Sequence, residues 1–313
     1  MALSIGIDYN RGHGKTCLME NGQVTELHSF MDAAALLAYL EHTCALYPEP
    51  VVALASASDE SLPSLQEDTN SFLIAIDSIN LKNHRIPAVE HLPTIPTHRK
   101  LKQAALGTPA KLCTVAALLH HMREQEALWS EMNFLYLEVG ENARTIIVAE
   151  GGRIVNGIGG RVCAGMDNRE SQKQCYLNGS SKDTPPYAGE HTENALCNRE
   201  PTQALELAFW ERLTQDLAGL MAIHHFEDIV VAGQSSLKNA VIDRFGDTYQ
   251  FYLYPQSEPH QEGFETAIGA ALIAEGLYYP GLAGEVVERL QIREVSVPFS
   301  STSPYGGATA PTL

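Results

Sequence analysis

The first thirty positions alternate between apolar and polar residues in a way that predicts a small strand meander. Leu3 to Tyr9 reads as a strand, Asn10 to Lys15 as a glycine-rich turn, and Thr16 to Met19 as the returning strand. Asn21-Gly22 is a type I′ hairpin signal, after which Gln23 to Phe30 returns again. The period then changes. Leu36, Leu37, Leu40 and Cys44 repeat at helical spacing, predicting a helix over Met31 to Leu46 that Pro48 and Pro50 terminate. Val51 to Ser56 is a short apolar strand. Residues 57–70 are polar and read as a surface loop, and Phe72 to Asp77 reads as a further strand. Prolines punctuate 87–96. A helix is expected over Thr108 to Trp129, with Thr108 as cap and Pro109 in its first turn.

A similar pattern then recurs. Phe134 to Val139 is apolar, Gly140 to Ala143 turns, and Arg144 to Ala149 is a strand. Gly151-Gly152 makes a hairpin turn, and Arg153 to Ile158 returns. Residues 165–200 are polar and form a long stretch without periodicity, read as a functional or mobile loop. An amphipathic helix follows at Thr202 to His224. Next come a strand from Asp228 to Ala232, a helix from Leu237 to Phe245 and a strand from Tyr249 to Tyr254. Glu262 to Glu275 is a helix rich in small residues, suited to close packing against a neighbour, and Ala283 to Leu290 is a shorter one. The tail after Val297 has the composition of a flexible segment. Two halves that each open with a meander amount to an internal repeat of architecture without a repeat of sequence. The expected fold is therefore α/β, with one domain over 1–130, a second over 131–297 and a flexible tail over 298–313.

Composition narrows the function classes. A formal net charge of −17 in 313 residues disfavours general binding to nucleic acid or to anionic membranes. A bound nucleotide is still compatible with it, because a few local donors suffice for a phosphate. The six cysteines are scattered without a CxxC pair, and the twelve histidines lack HExxH spacing. No secretory pattern precedes the first strand and no apolar run is long enough to cross a bilayer. The expectation is a cytoplasmic protein with no nucleic-acid or membrane partner.

Four segments carry candidate chemistry. Asp8 ends the first strand, and the following turn (Gly12, Gly14, Lys15) can present backbone N–H groups to phosphates while the carboxylate holds Mg²⁺ through water. The bland alternative is that these residues serve turn chemistry only. A Walker A reading of Gly12 to Thr16 is rejected. Tyr9 stands where its first glycine belongs, and a hairpin rather than a helix follows. Glu138 and Gly140 occupy the equivalent turn of the second half, so the two turns would face each other across a cleft holding a nucleotide. Gly233 to Ser236, with Gly233 and Ser235 foremost, ends a strand in a form that can wall an adenosine, or simply make a strand-to-helix turn. Finally, two prolines stiffen the stretch from His91 to Lys100, where Arg99 can bind an anion bidentately or form part of a solvated basic turn.

The stretches HLPTIPTHRKL and LGTPAKLCTVA resemble the signature of a mostly archaeal family of predicted butyrate kinases, within the superfamily of actin-like ATPases and acetate and sugar kinases. The resemblance continues through LEVGENARTIIVAEGGRIVNGIGG and ends near GAALIAEGLYYPGLAGEVVERLQI. It implies two ribonuclease H-like domains with ATP and Mg²⁺ in an interdomain cleft, and phosphoryl transfer to a carboxylate or hydroxyl acceptor. By that resemblance Asp8 belongs to the first phosphate segment, Glu138 and Gly140 to the second, and Gly233 to Ser236 to the adenosine segment. Gly107, Thr108 and Lys111 would open one connecting helix, and Gly269 and Ala270 would lie on the other. Arg99 or Arg161 would hold the acceptor or the transferring oxygens, and Asp77 and Asp167 are the general-base candidates. A homodimer is the assembly it allows. Three positions depart from the family pattern: the first turn lacks an Asp-Pro-Gly-Thr form, Ala110 replaces an acid, and Ala105 stands at another acidic position. A diverged, non-catalytic member that binds nucleotide or a protein partner is the alternative.

Overall fold

The computed structural model describes residues 3–10, 12–47, 49–56, 63–79, 82–101, 105–140, 143–159, 201–226, 228–255 and 259–295. The first meander is β1 (Leu3–Asn10), β2 (His13–Glu20) and β3 (Gln23–Phe30), antiparallel in sequence order. Asn21 and Gly22 both take positive φ, 51° and 81°, as a primed hairpin turn requires. Helix α1 (Ala33–Leu46) starts where Asp32 accepts a hydrogen bond from the Ala35 N–H at 2.8 Å. It leads to β4 (Val51–Ser56), which pairs parallel with β1, and the sheet closes at β5 (Lys82–Arg85). The strand order is β3-β2-β1-β4-β5.

Between β4 and β5 runs α2 (Pro63–Ser78), a helix where sequence reading expects a polar loop and a strand from Phe72 to Asp77. Burial explains the difference. A strand would have turned Phe72, Ile74 and Ile76 to one face, but Ile74 is 73% exposed while Phe72, Leu73 and Ile76 are buried, the spacing of a helical stripe. That stripe joins Ile5, Ile7, Tyr9, Leu36, Leu40 and Leu54 in one core, with the Tyr9 and Phe72 rings stacked at 3.9 Å. The polar edge strand β5, Lys-Asn-His-Arg, has no hydrophobic signature to be read from sequence.

After a short helical turn, α3 (Thr97–Lys100), the chain enters α4 (Pro109–Glu124). Thr108 has N-cap geometry, yet its side chain makes no capping bond, so the helix start rests on Pro109 and on backbone bonds to the Thr108 carbonyl. The predicted helix ends at Glu124 instead of Trp129, which opens a separate 3₁₀ turn.

The second sheet comprises β6 (Phe134–Gly140), β7 (Ala143–Glu150), β8 (Arg153–Ile158), β9 (Asp228–Gly233) and β10 (Gln250–Leu253), in the order β10-β9-β6-β7-β8. Read from its first strand, this is the same 3-2-1-4-5 arrangement as in the first sheet, with β9 parallel to β6 and β10 parallel to β9. Helices α5 (Pro201–His224) and α6 (Ser235–Phe245) belong to this half. The last α-helices among the described residues are α7 (Glu265–Tyr278) and α8 (Leu282–Leu290).

The chain divides into two compact units. The described parts of Met1–Met132, Ala149–Asn156 and Pro255–Leu313 form one, and those of Asn133–Val148 and Gly157–Tyr254 form the other. The expectations for 165–200, for the tail after Val297, and for Arg161 and Asp167 lie outside the described residues.

Within the first unit, α7 packs against β1 and α4 along small residues. A Cβ at Gly6 would lie 1.9 Å from the Ala267 carbonyl oxygen, and one at Gly269 would lie 2.0 Å from that of Cys113. The small-residue pattern read from sequence is thus a three-way backbone contact. Two mixed α/β sheets of this order are the ribonuclease H-like halves of the actin-like ATPase fold.

Candidate functional site

In the first unit, pleating decides where Asp8 goes. Ile5, Ile7 and Tyr9 face α1 and α2, so Ser4, Gly6 and Asp8 face the opposite side, where Gly6 meets α7. Asp8 is half-buried near the carboxyl end of β1, in register with Lys15 on β2 and Ala55 on β4. Its charge is felt in α4. Burial, and after it the Asp8 carboxylate, push the Cys113 thiol well above its ordinary range.

Lys15 does not stand open. Its ammonium donates to the Gly263 carbonyl at 2.6 Å and lies 5.2 Å from the centre of the Phe264 ring. Gly263 in turn donates its N–H to Glu265 Oε1 at 3.0 Å, so Lys15 ties β2 to the approach of α7. The two turn glycines differ. Gly12 has φ +82°, with no atom within 4 Å of where a Cβ would stand, whereas a Cβ at Gly14 would meet Leu36 Cδ2 at 2.6 Å. Gly14 therefore serves the packing of α1, and Gly12 is the open backbone position. Arg99 donates through Nη1 to the Val155 carbonyl at 2.7 Å, and Lys100 donates to that of Leu92 at 2.8 Å. Two members of the basic cluster thus hold backbone. Asp77 is an exposed residue near the end of α2, not the end of a strand.

In the second unit, Glu138 and Gly140 close β6, and Gly233 closes its parallel neighbour β9. The register sets Glu138 beside Ala232 and Val139 beside Gly233. Gly233 has φ +102°, and a Cβ there would lie 2.1 Å from the Val139 carbonyl oxygen. That oxygen accepts the Gln234 N–H at 3.2 Å. Only glycine permits this turn. It delivers Ser235 to the first position of α6, at a helix N-terminus whose leading N–H groups have no intrahelical acceptor. Glu138, Gly140, Gly233 and Ser235 thus share one sheet edge, and Asp8, Gly12 and Lys15 come from one hairpin of the other unit.

Sequence reading missed two polar partners. Tyr136 Oη donates to Glu138 Oε2 at 2.5 Å, an i, i+2 pair on one strand face that period-two alternation could have shown. The buried ion pair of Arg144 with Asp216, with Arg212 Nε 3.2 Å from the same carboxyl group, has no local signal because its members lie far apart in sequence. Among the described residues there is no cluster of three or more metal-ligating side chains and no helix long and apolar enough to cross a membrane.

The fold and these sheet edges define the class, a member of the actin-like ATPase fold. The family whose profile matches is described as "Protein of unknown function (DUF1464)", over residues 51–299, and the chain belongs to it. No curated protein matches. Among solved structures, a glucokinase from Balamuthia mandrillaris in complex with glucose is similar at 12% identity, covering 88% of this chain and 94% of its own, with a TM-score of 0.48. A ROK hexokinase from Thermus thermophilus is similar at 13% identity, 86% and 97% coverage and a TM-score of 0.43. The activator of the 2-hydroxyisocaproyl-CoA dehydratase from Clostridium difficile, with bound ADPNP, is similar at 10% identity, 91% and 96% coverage and a TM-score of 0.41.

Proposed function

We propose that this chain is a small-molecule kinase transferring a phosphoryl group from ATP to a carboxylate or hydroxyl acceptor, with butyrate-like acids as the first acceptors to try. The observation that carries the proposal is the duplication of the site edge. Both sheets have the order 3-2-1-4-5, and each carries an acid near the carboxyl end of its central strand, Asp8 in one and Glu138 in the other, close to a glycine turn. An acid beside open backbone N–H groups is a recurring arrangement for handling a metal-bound phosphate chain.

The residues fit such a ligand. Gly12 leaves its backbone free of any Cβ neighbour, as close approach to a phosphate requires, and Gly233 gives access to the start of α6. In the first unit Gly12 would face a phosphate; in the second Gly140 would do so, with Gly233 and Ser235 at the nucleoside. Asp8 and Glu138 are each candidates to bind Mg²⁺, which favours one or two carboxylates plus phosphate oxygens over an all-protein cage. ATP supplies the transferable phosphoryl group. The Tyr136 hydroxyl fixes the direction of the Glu138 carboxylate, and Lys15 fixes the hairpin against α7. A carboxylate acceptor is already ionised at neutral pH and needs no general base. Arg99 would have to exchange the Val155 carbonyl for an acceptor oxygen.

Turnover of ATP with butyrate and related acids, compared between Asp8→Ala and Asp247→Ala, tests the reading. Loss in the first with retention in the second supports it, and full turnover in Asp8→Ala overturns it. A second reading has its own support. Lys15 and Arg99 are both engaged by carbonyls, and Ala105 and Ala110 stand where the family resemblance expects acids. A non-catalytic nucleotide binder would be stabilised by about 2.7 kcal/mol at 100 Kd of MgATP without hydrolysing it. A homodimer in the cytoplasm is part of the proposal, and light scattering of the purified protein tests the assembly.

A further inference from the structure

The β7–β8 turn, the loop after α4 and the α7–α8 junction, all within the first unit, border an open, shallow cavity of about 710 Å³. Its size is that of a small-molecule site, and none of the residues assigned above to phosphate, metal or nucleoside lines it. Four arginines gather in and behind it, and they are not equally neutralised. Arg123 Nη2 pairs with Glu285 at 3.0 Å, and Arg293 Nε pairs with Glu288 at 3.0 Å. Both acids that line the cavity are thereby used.

The other two guanidinium groups have no carboxylate among the described residues. Arg289 donates its Nε to the Gly151 carbonyl at 2.7 Å and lies 5.5 Å from the centre of the Trp129 ring, which Arg123 also approaches at 5.2 Å. Arg153 is exposed and forms no ion pair with any described residue. The two charges act on each other, since burial and then Arg153 depress the Arg289 pKa. An excess of two neighbouring cations inside a chain of net charge −17 calls for a dianionic ligand, and a single carboxylate supplies only half of that charge. A phosphomonoester carries roughly −1.5 to −2 at neutral pH, and its oxygens match the guanidinium fork.

We infer that this cavity binds the phosphate group of a small phosphomonoester, held by Arg153 and Arg289, with the rest of the volume taken by its organic part. The site is independent of the kinase reading and would exist whether or not ATP is turned over. Isothermal titration of the full chain with inorganic phosphate and with glycerol 3-phosphate tests it. Both probes should bind saturably, and Arg153→Ala should weaken both by about tenfold or more, as expected for losing a charged hydrogen-bond donor. Among the described residues the exposed Arg153 side chain makes no hydrogen bond or ion pair, so this variant should fold as the parent does. Arg289→Lys, which keeps the charge but loses the fork, should weaken binding by a smaller factor. Absence of saturable binding overturns the inference, as does binding of phosphate without glycerol 3-phosphate. Unchanged affinity in Arg153→Ala also overturns it, because the ion would then sit elsewhere.

Discussion

Replacing Gly269 by alanine puts a methyl group where the Cys113 carbonyl oxygen stands 2.0 Å away. Carbon and oxygen do not approach closer than roughly 3.0–3.3 Å without severe repulsion, so α7 must retreat from α4 by about 1 Å. It cannot simply tilt away, because Gly6 of β1 presses on Ala267 and Ala271 of the same helix. A radial gap of about 1 Å forfeits up to half of the dispersion attraction across the seam. Overpacking of this kind costs about 1–3 kcal/mol, and the backbone nature of both contacts puts this site at about 3. Alanine's better helix propensity returns about 1 kcal/mol, leaving a net loss of about 2 kcal/mol. Gly219 in α5 supplies the control. A Cβ there meets nothing within 4 Å, so Gly219→Ala should gain about 0.5–1 kcal/mol from the same propensity. The two tryptophans make the units separately visible, since Trp129 lies in the first and Trp210 in the second. Urea unfolding of Gly269→Ala in a Trp210→Phe background, followed by Trp129 fluorescence, should show its midpoint lowered by about 1 M for a slope near 2 kcal/mol/M. Gly219→Ala in a Trp129→Phe background should move the other way. Equal or greater stability of Gly269→Ala would refute the argument that this backbone contact requires glycine.

Other consequences are equally direct. Gly233→Ala combines a positive φ with a Cβ 2.1 Å from the Val139 oxygen, so it should destabilise the second unit by about 2 kcal/mol or more in the Trp210-reported transition. His84 and His120 have pKa values lowered chiefly by burial, so the unfolded chain takes up their protons more readily. Their contribution to stability is complete above pH 6.5 and is lost as pH falls through the lower folded values. The urea midpoint should therefore drop between pH 7.5 and 5.5, by a smaller amount in His84→Gln. Cys17, pushed up to about 12, and Cys113 are buried thiols, so iodoacetamide at pH 8 should label them only after unfolding, as peptide mass mapping would show.

Where local chemistry decides the structure, the sequence was easy to read. The meander of β1 to β3 follows from alternation and the Asn21-Gly22 turn, and its counterpart in the second half follows from Gly151-Gly152. The strand ends at Glu138 and Gly233 follow from two apolar runs that each end in a glycine-bearing turn, whereas the parallel pairing that sets them side by side is a long-range contact without a local signal. Helix α2 was hidden because its apolar residues lie only in its second half, where Phe72, Ile74 and Ile76 also fit a strand. Strand β5 was hidden because a polar edge strand needs only backbone pairing with β4. Long-range contacts left no local trace. Nothing near Lys15 foretells the Gly263 carbonyl, nothing near Arg99 foretells that of Val155, and the Arg144–Asp216 pair joins a strand to a distant helix. The duties of these cations are set by tertiary neighbours that composition cannot specify.

The first unit draws on segments that precede and follow the second in sequence, since α7 covers the Gly6 face of β1. During synthesis, then, β1 emerges long before its covering helix, and the residues of the second unit are all made in between. Once residue 254 has left the ribosome, every described segment of the second unit is available, while the Gly6 face of β1 still lacks its covering helix. Order of assembly is thereby built into connectivity: the second unit can fold before α7 and α8 emerge, and the first can complete its packing on β1 only after they do.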